Sequence, residues 1–132
     1  MLEEYIIRTS KREEFIDITG YVRQCVRRSG IEEGVVVVYT PHTTAALTIN
    51  ENADPSVKED IIEFLRRMIP RDGNYSHTEG NSDAHIKSSL LGVSLNLLLS
   101  RRRLLLGTWQ GIFFCEFDGP RTRKFYVKVM GE

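Results

Sequence analysis

Apolar positions along this chain change period several times, and each change marks an element. Tyr5-Ile6-Ile7-Arg8-Thr9 and Phe15-Ile16-Asp17-Ile18 are short apolar runs separated by the charged stretch Ser10-Lys11-Arg12-Glu13-Glu14, a pattern that predicts an N-terminal hairpin. Val22, Cys25 and Val26 then recur at the spacing of one helical face, with Asp17 or Thr19 available as cap and Gly30 as stop. From Gly34 to Thr40 four valines and a tyrosine follow one another. Both faces of that run are apolar, so it predicts a strand in the middle of a sheet. After Pro41 the chain alternates, with Ala45, Leu47 and Ile49 on one side and Thr44, Ala46, Thr48 and Asn50 on the other, as in a half-buried strand.

Asp54-Pro55 pairs an N-cap with proline at the first helical position, and Val57, Ile61, Ile62, Leu65 and Met68 extend a helical stripe as far as Pro70. Between Pro70 and Asp83 no apolar period exists, and a polar loop of that length in a small domain points to function or disorder. Asp83 is placed to cap a short helix with Ile86 and Leu90 on one face and Gly92 at its end, and Val93 to Leu99 predicts a buried strand. Arg101-Arg102-Arg103 predicts a solvated turn, with an anion-binding patch as the alternative. Leu104 to Phe117 and Phe125 to Met130 read as strands joined by the turn Asp118-Gly119-Pro120-Arg121, so the chain is expected to close on a β-hairpin.

No repeat, linker or composition break divides the 132 residues, which predicts one α+β domain over residues 1–132. Eighteen basic and eighteen acidic residues cancel, so no global field exists to hold a nucleic acid, and low net charge favours closed oligomers. Acid at the N-terminus and the lack of an apolar secretory core predict a cytoplasmic protein, with Cys25 and Cys115 as reduced core thiols. The longest apolar stretch, Leu90 to Leu99, is broken by Ser94 and Asn96 and falls short of the ~18 residues of a membrane span.

Candidate chemistry gathers in three places. The strand connection Thr40-Pro41-His42-Thr43-Thr44 sets an imidazole among hydroxyls, and the same strand ends in Asn50-Glu51-Asn52-Ala53-Asp54, where Asn52 and Asp54 suit capping and Glu51 is free for function. The segment from His77 to His85 repeats ligand-type side chains, but Ser88 stands where an EF-hand needs Glu, and no His-Glu-x-x-His is present. Two imidazoles there are suited to a divalent ion, completed by His42 or a carboxylate, or to general acid and base work. All three histidines are thus expected to converge on one site. Glu116, an acid inside the apolar strand after Ile112, is expected to have a raised pKa unless paired, and Gln110 lies six residues away on the same side. Trp109 suits a core or an interface, and the Gly107 and Gly111 pair lacks the lysine of a phosphate-binding loop.

Three segments together, Thr40-Pro-His-Thr-Thr-Ala-Ala-Leu-Thr-Ile-Asn-Glu-Asn-Ala-Asp-Pro55, His77-x-x-Gly-Asn-x-x-Ala-His-Ile-Lys-Ser-Ser-Leu-Leu-Gly92 and Leu106-Gly-Thr-Trp-Gln-Gly-Ile112 with its following Glu116-Phe-Asp-Gly-Pro-Arg121, resemble the YjbQ family over nearly the whole chain. The resemblance implies a mixed, mostly antiparallel sheet curved into a sandwich or barrel with two to three helices packed on it. It also implies a homotrimer with sites near subunit contacts. The activity it implies is a thiamine-phosphate synthase joining a hydroxymethylpyrimidine pyrophosphate to a thiazole phosphate, as a secondary activity. Matching positions bring His42, Glu51, Asn52, His77, Asn81, His85, Lys87, Gln110 and Glu116 into the expected site. In that reaction His42, His77 and His85, with Glu51 or Glu116, would hold zinc or magnesium, and Lys87 or Arg121 would neutralise phosphate. A zinc- or small-ligand-binding trimer of different, hydrolytic activity is the alternative, and a structural role in trimer contacts a third.

Overall fold

The computed structural model describes all 132 residues and contains eight strands and three helices. In chain order these are β1 (Leu2–Arg8), β2 (Glu14–Asp17), α1 (Thr19–Ser29), β3 (Gly34–Tyr39), β4 (Ala45–Glu51), α2 (Pro55–Met68), α3 (Ser82–Leu91), β5 (Ser94–Ser100), β6 (Arg103–Leu104), β7 (Gln110–Glu116) and β8 (Thr122–Gly131). They form an α+β fold with a five-stranded sheet, β1-β8-β3-β5-β6, and a three-stranded sheet, β2-β7-β4. Every strand pairing is antiparallel, which sharpens the expected mixed sheet.

Alternation along the strands sorts side chains into layers. Val36, Val38, Leu97, Leu99, Phe125, Val127 and Val129 of the large sheet meet Ala45, Leu47, Ile112 and Phe114 of the small one, and Val22, Cys25 and Val26 of α1 join that core. The far face of the small sheet carries Phe15, Ala46, Phe113 and Cys115. Phe117 joins them, and Leu65 of α2 and Ala84 of α3 cover that second cluster. β4 is therefore buried on both faces at Ala45, Ala46 and Leu47, where alternation alone predicted a half-buried strand. Both cysteines are free and buried, as expected, and no helix is long and apolar enough to cross a membrane.

Two expected hairpins do not form. β1 pairs with β8 while β2 pairs with β7, so residues 9–13 carry the chain from one sheet to the other. Likewise β7 and β8 lie in different sheets, and the Asp118–Arg121 turn is a corner between layers. Gly119 sits at that corner, where a Cβ would come within 2.2 Å of the Lys11 carbonyl oxygen, and its N–H donates to Arg12 O at 3.0 Å. A short polar connection reads locally as a turn whichever sheet receives the next strand, which is why pairing was misjudged at both places.

The helices α1 and α2 form where expected, although the N-cap of α1 is Ile18, between the two expected caps Asp17 and Thr19, and carries no side-chain cap bond. Gly30 ends α1 at φ 67°, and Asp54 caps α2 by accepting the Ser56 N–H at 2.9 Å. In α3 the N-cap is Asn81 rather than the expected Asp83, which lies inside the first turn and is taken up by Arg12 and Lys87, and the expected faces are reversed. Asp83, Ala84, Lys87 and Ser88 point inward, whereas Ile86 and Leu90 are exposed.

Candidate functional site

The inward face of α3 is polar because it carries an ion-pair network. Arg12 binds Asp83 through two hydrogen bonds of 3.1 Å, and Lys87 Nζ donates to Asp83 at 2.9 Å and to Glu13 at 3.0 Å. Burial pushes the Asp83 carboxyl up, but the bonds from Arg12 and Lys87 outweigh it and hold the pKa below the usual carboxylate range. Ser88 Oγ donates to Ala45 O at 2.6 Å, tying α3 to the start of β4. These contacts fix the helix that carries His85.

Ahead of α3, residues 69–81 form the expected polar loop. Arg71 Nε donates to Gly80 O at 3.4 Å and Tyr75 OH to Pro70 O at 2.6 Å, which folds the loop back on itself. His77 and His85 are thereby brought edge to face with ring centres 5.5 Å apart, and Glu79 lies 3.7 Å from His77 Nε2. They border a cavity of about 470 Å³ with Asn74, Tyr75, Ser76, Ser82 and Ile86.

His85 also borders a second cavity of about 630 Å³, whose lining includes Tyr39, Thr40, His42, Thr43, Ser88 and Ser89. Thr40 Oγ1 donates to Lys124 O at 2.8 Å, and His42 Nε2 accepts the Lys124 N–H at 3.0 Å. That bond commits the Nε2 lone pair and leaves Nδ1 as the atom available to a ligand. Burial, then the nearby Arg123 charge, lowers the His42 pKa, so the ring is neutral at physiological pH.

His85 thus links His77 on one side and His42 on the other, but the three imidazoles do not form a common ligand set. No group of three or more His, Cys, Asp or Glu side chains within the chain is placed to hold an ion. The His77–His85 pair alone has suitable spacing, because two imidazoles on one tetrahedral ion at ~2.0–2.1 Å place their ring centres about 5 Å apart. A metal would find two ligands here and need others.

The remaining candidates are dispersed. Glu51 and Asn52 border a separate small cavity with Asp17, Ala53, Asp54, Pro55, Lys58 and Phe113, and Asn52 Nδ2 donates to Asp17 at 3.3 Å. Gln110 is exposed and accepts the Gly107 N–H at 2.8 Å, so it closes a turn. Lys87 is spent in its ion pairs and cannot serve as a phosphate-neutralising group. Arg121 is held by Asp118 at 3.0 Å. Asn81 Nδ2 donates to Asp118 at 2.9 Å, while its buried Oδ1 has no partner. Trp109 is exposed rather than core.

Glu116 is fully buried and bound to Arg123 by two bonds, one of them Nε to Oε1 at 2.9 Å, with further bonds from Thr9 Oγ1 and the Asp118 N–H. Burial raises its pKa, but those donors prevail and the carboxyl stays charged. It is structural, as its pairing requires.

Sequence reading missed the hydroxyls of Ser76, Ser82, Ser88 and Ser89, which line the cavities beside the histidines. The only sequence sign was serine density around His77 and in the first and last turns of α3.

Two layered antiparallel sheets with a histidine-bordered groove at the loop before α3 define an α+β domain whose site lies at the junction of strand ends and one helix. Residues 3–132 match the family model described as UPF0047 protein YjbQ-like, and the chain belongs to that family. It is 59% identical over its whole length to UPF0047 protein MJ1081 of Methanocaldococcus jannaschii, covering 96% of that protein. It is 51% identical to UPF0047 protein YugU of Bacillus subtilis, covering 99% of this chain and 100% of that one. Among solved structures, a YjbQ/UPF0047 protein of Clostridium acetobutylicum superposes with a TM-score of 0.96 at 53% identity over 97% of this chain and 99% of the other. A protein of Sulfolobus solfataricus described as of unknown function gives a TM-score of 0.96 at 32% identity, over 100% and 97% of the two chains.

These relatives correct the expected activity. None of them is named for thiamine-phosphate synthesis, and the Sulfolobus structure is described as of unknown function, so that expectation does not hold. The geometry agrees, since Lys87, Arg121 and Glu116 are all engaged within the protein.

Proposed function

We propose that the protein binds a small, oxygen-rich ligand in the groove bordered by His77, His85 and His42, with a divalent transition metal at the His77–His85 pair. The observation that carries this reading is the 5.5 Å separation of the two rings, which suits two imidazole ligands of one ion. The bound ion supplies Lewis-acid polarisation of a ligand oxygen. Serine and threonine hydroxyls, with Asn74 and Tyr75, provide neutral hydrogen-bonding partners along both cavities. His42, neutral and with Nδ1 available, would face the distal part of the ligand.

A homotrimer belongs to the same reading. The outer face of the large sheet exposes Ile6, Tyr39, Leu98 and Met130, and Tyr39 also borders the His42 cavity. A second copy packed there would reach the groove and could supply the missing ligands.

Calorimetric titration of chelator-treated protein with zinc and nickel tests the proposal. One ion per chain is expected, and His77→Ala or His85→Ala should weaken binding beyond the ~10–100-fold that disturbing a ligand's hydrogen-bonding partner costs. His42→Ala should leave ion affinity within that range. Ion binding unchanged by both His77→Ala and His85→Ala would reject the site.

A further inference from the structure

A third groove, of about 330 Å³, shares no residue with the histidine cavities and is bordered by Arg23, Val26, Arg27, Arg102, Arg103 and Leu104. Arg23 and Arg27 lie one turn apart on α1 and so project from the same helix face. Arg102 and Arg103 come from the β5–β6 connection, where Ser100 pairs with Arg103 across a two-residue turn. No acidic side chain borders the groove. Arg102 alone has a carboxylate partner, Glu32 at 3.5 Å, and both members of that pair are exposed and therefore weakly coupled. Elsewhere Arg12, Arg28, Arg66, Arg67, Arg121 and Arg123 are each paired with an acid, whereas Arg23, Arg27 and Arg103 have no carboxylate partner, as is also true of the exposed Arg8, Arg71 and Arg101. What sets the groove apart is that four guanidinium groups border one cavity.

Backbone conformation adds to this at Arg102. Arg101 at φ 53°, outside the groove, and Arg102 at φ 64°, on its border, are the two non-glycine residues with positive φ in the whole chain. A two-residue hairpin with both central residues left-handed favours Asn-Gly or similar pairs, because a Cβ is strained there. Arginines in that turn accept strain that glycine would remove, and strain of this kind collects where a side chain has a task. The floor of the groove is apolar, made by buried Val26 and half-buried Leu104.

We propose that this groove binds a small diphosphate-bearing molecule of the nucleoside diphosphate type, its phosphoryl groups held by Arg23, Arg27, Arg102 and Arg103 and its ring resting on Val26 and Leu104. Guanidinium groups match phosphate oxygens with paired donors, and four of them around one small volume exceed what a single phosphate neutralises. A long polyanion is disfavoured. Formal net charge is zero, and exposed Glu32 and Glu33 flank the turn, where they would repel a strand running past it.

Calorimetry at physiological salt, with a chelator present so that metal at the histidines plays no part, tests this with ADP, AMP and adenosine. ADP should bind at least about tenfold more tightly than AMP, and adenosine should give no signal. Arg27→Ala combined with Arg103→Ala, or Arg23→Ala alone, should weaken ADP about tenfold or more, while Arg67→Ala on α2 leaves it unchanged. All these positions are exposed, so the variants should fold, and circular dichroism is the check. Absence of ADP binding at millimolar concentration, equal weakening by Arg67→Ala, AMP as tight as ADP, or a short single-stranded oligonucleotide binding more tightly than ADP would each overturn the proposal.

Discussion

Removing the Glu116 carboxylate would leave the Arg123 guanidinium enclosed beside Thr44 with no opposite charge. Breaking a buried pair from one side costs about 3–5 kcal/mol. Glu116→Ala should therefore lower urea-determined stability by about that amount, and Glu51→Ala, at a half-exposed position without an ion pair, by about 0.5 kcal/mol or less. The same residues set the acid limit of the fold. Asp83 and Glu116 both have folded-state pKa values below their unfolded ones, so their stabilisation is complete above the unfolded values and is lost as pH falls through the folded ones. Melting temperature should be flat from neutral pH to about 5 and fall below about 4. A thermal scan at several pH values that found greater stability at pH 3 would contradict both assignments.

At the scale of elements, α3 and the β5–β6 turn each break a local rule. Lys87→Ala would take one of two cations from each of Asp83 and Glu13, which keep Arg12 and Arg66, so a loss of about 1–3 kcal/mol is expected, against about 0.5 kcal/mol or less for Leu90→Ser on the exposed face of the isolated chain. Arg102→Gly should do the opposite. Relief of a left-handed non-glycine residue, about 1–2 kcal/mol, offsets the entropic cost of glycine, about 0.5–1 kcal/mol, so denaturation should show a net gain of up to about 1.5 kcal/mol. These two elements also mark where sequence reading failed and why. Val22, Cys25 and Val26 buried one face of α1 as their spacing required, and Asp54-Pro55 began α2, because both signals are local. In α3 the apolar residues were assigned inward, but burial there was decided by Arg12 and Glu13, some seventy positions away in sequence and invisible to periodicity. His77 and His85 were legible as a pair since one loop joins them, whereas Glu51 and Gln110, chosen from a strand end and from strand alternation and then grouped with the histidines by the motif, lie apart, because neither signal carries distance in space.

For the whole molecule, the outer face of the five-stranded sheet is an unbalanced feature, since it exposes Ile6, Tyr39, Leu98 and Met130. Register places Met130, Val35 and Leu98 in one row across β8, β3 and β5, with Tyr126 and Tyr39 in another, their rings stacked at 6.4 Å between centroids. Sheets of this kind normally present alternating polar residues to water, so an outward apolar row implies a cover. Lys128 and Asn96 interrupt it between the two rows, which keeps the face from being a core strip and suits an interface with a mixed rim. If copies of the chain cover it as a closed trimer, sedimentation should give three times 15.2 kDa, and the melting temperature should rise with protein concentration. Leu98→Glu places a charge in the middle of the apolar row without touching either core, so it should yield a folded monomer. Because Tyr39 borders both this face and the His42 cavity, that monomer should also lose affinity for zinc relative to the assembled protein, which links completion of the site to assembly. A monomeric wild type with full zinc affinity would separate the two and return the apolar row to a surface of no consequence for the site.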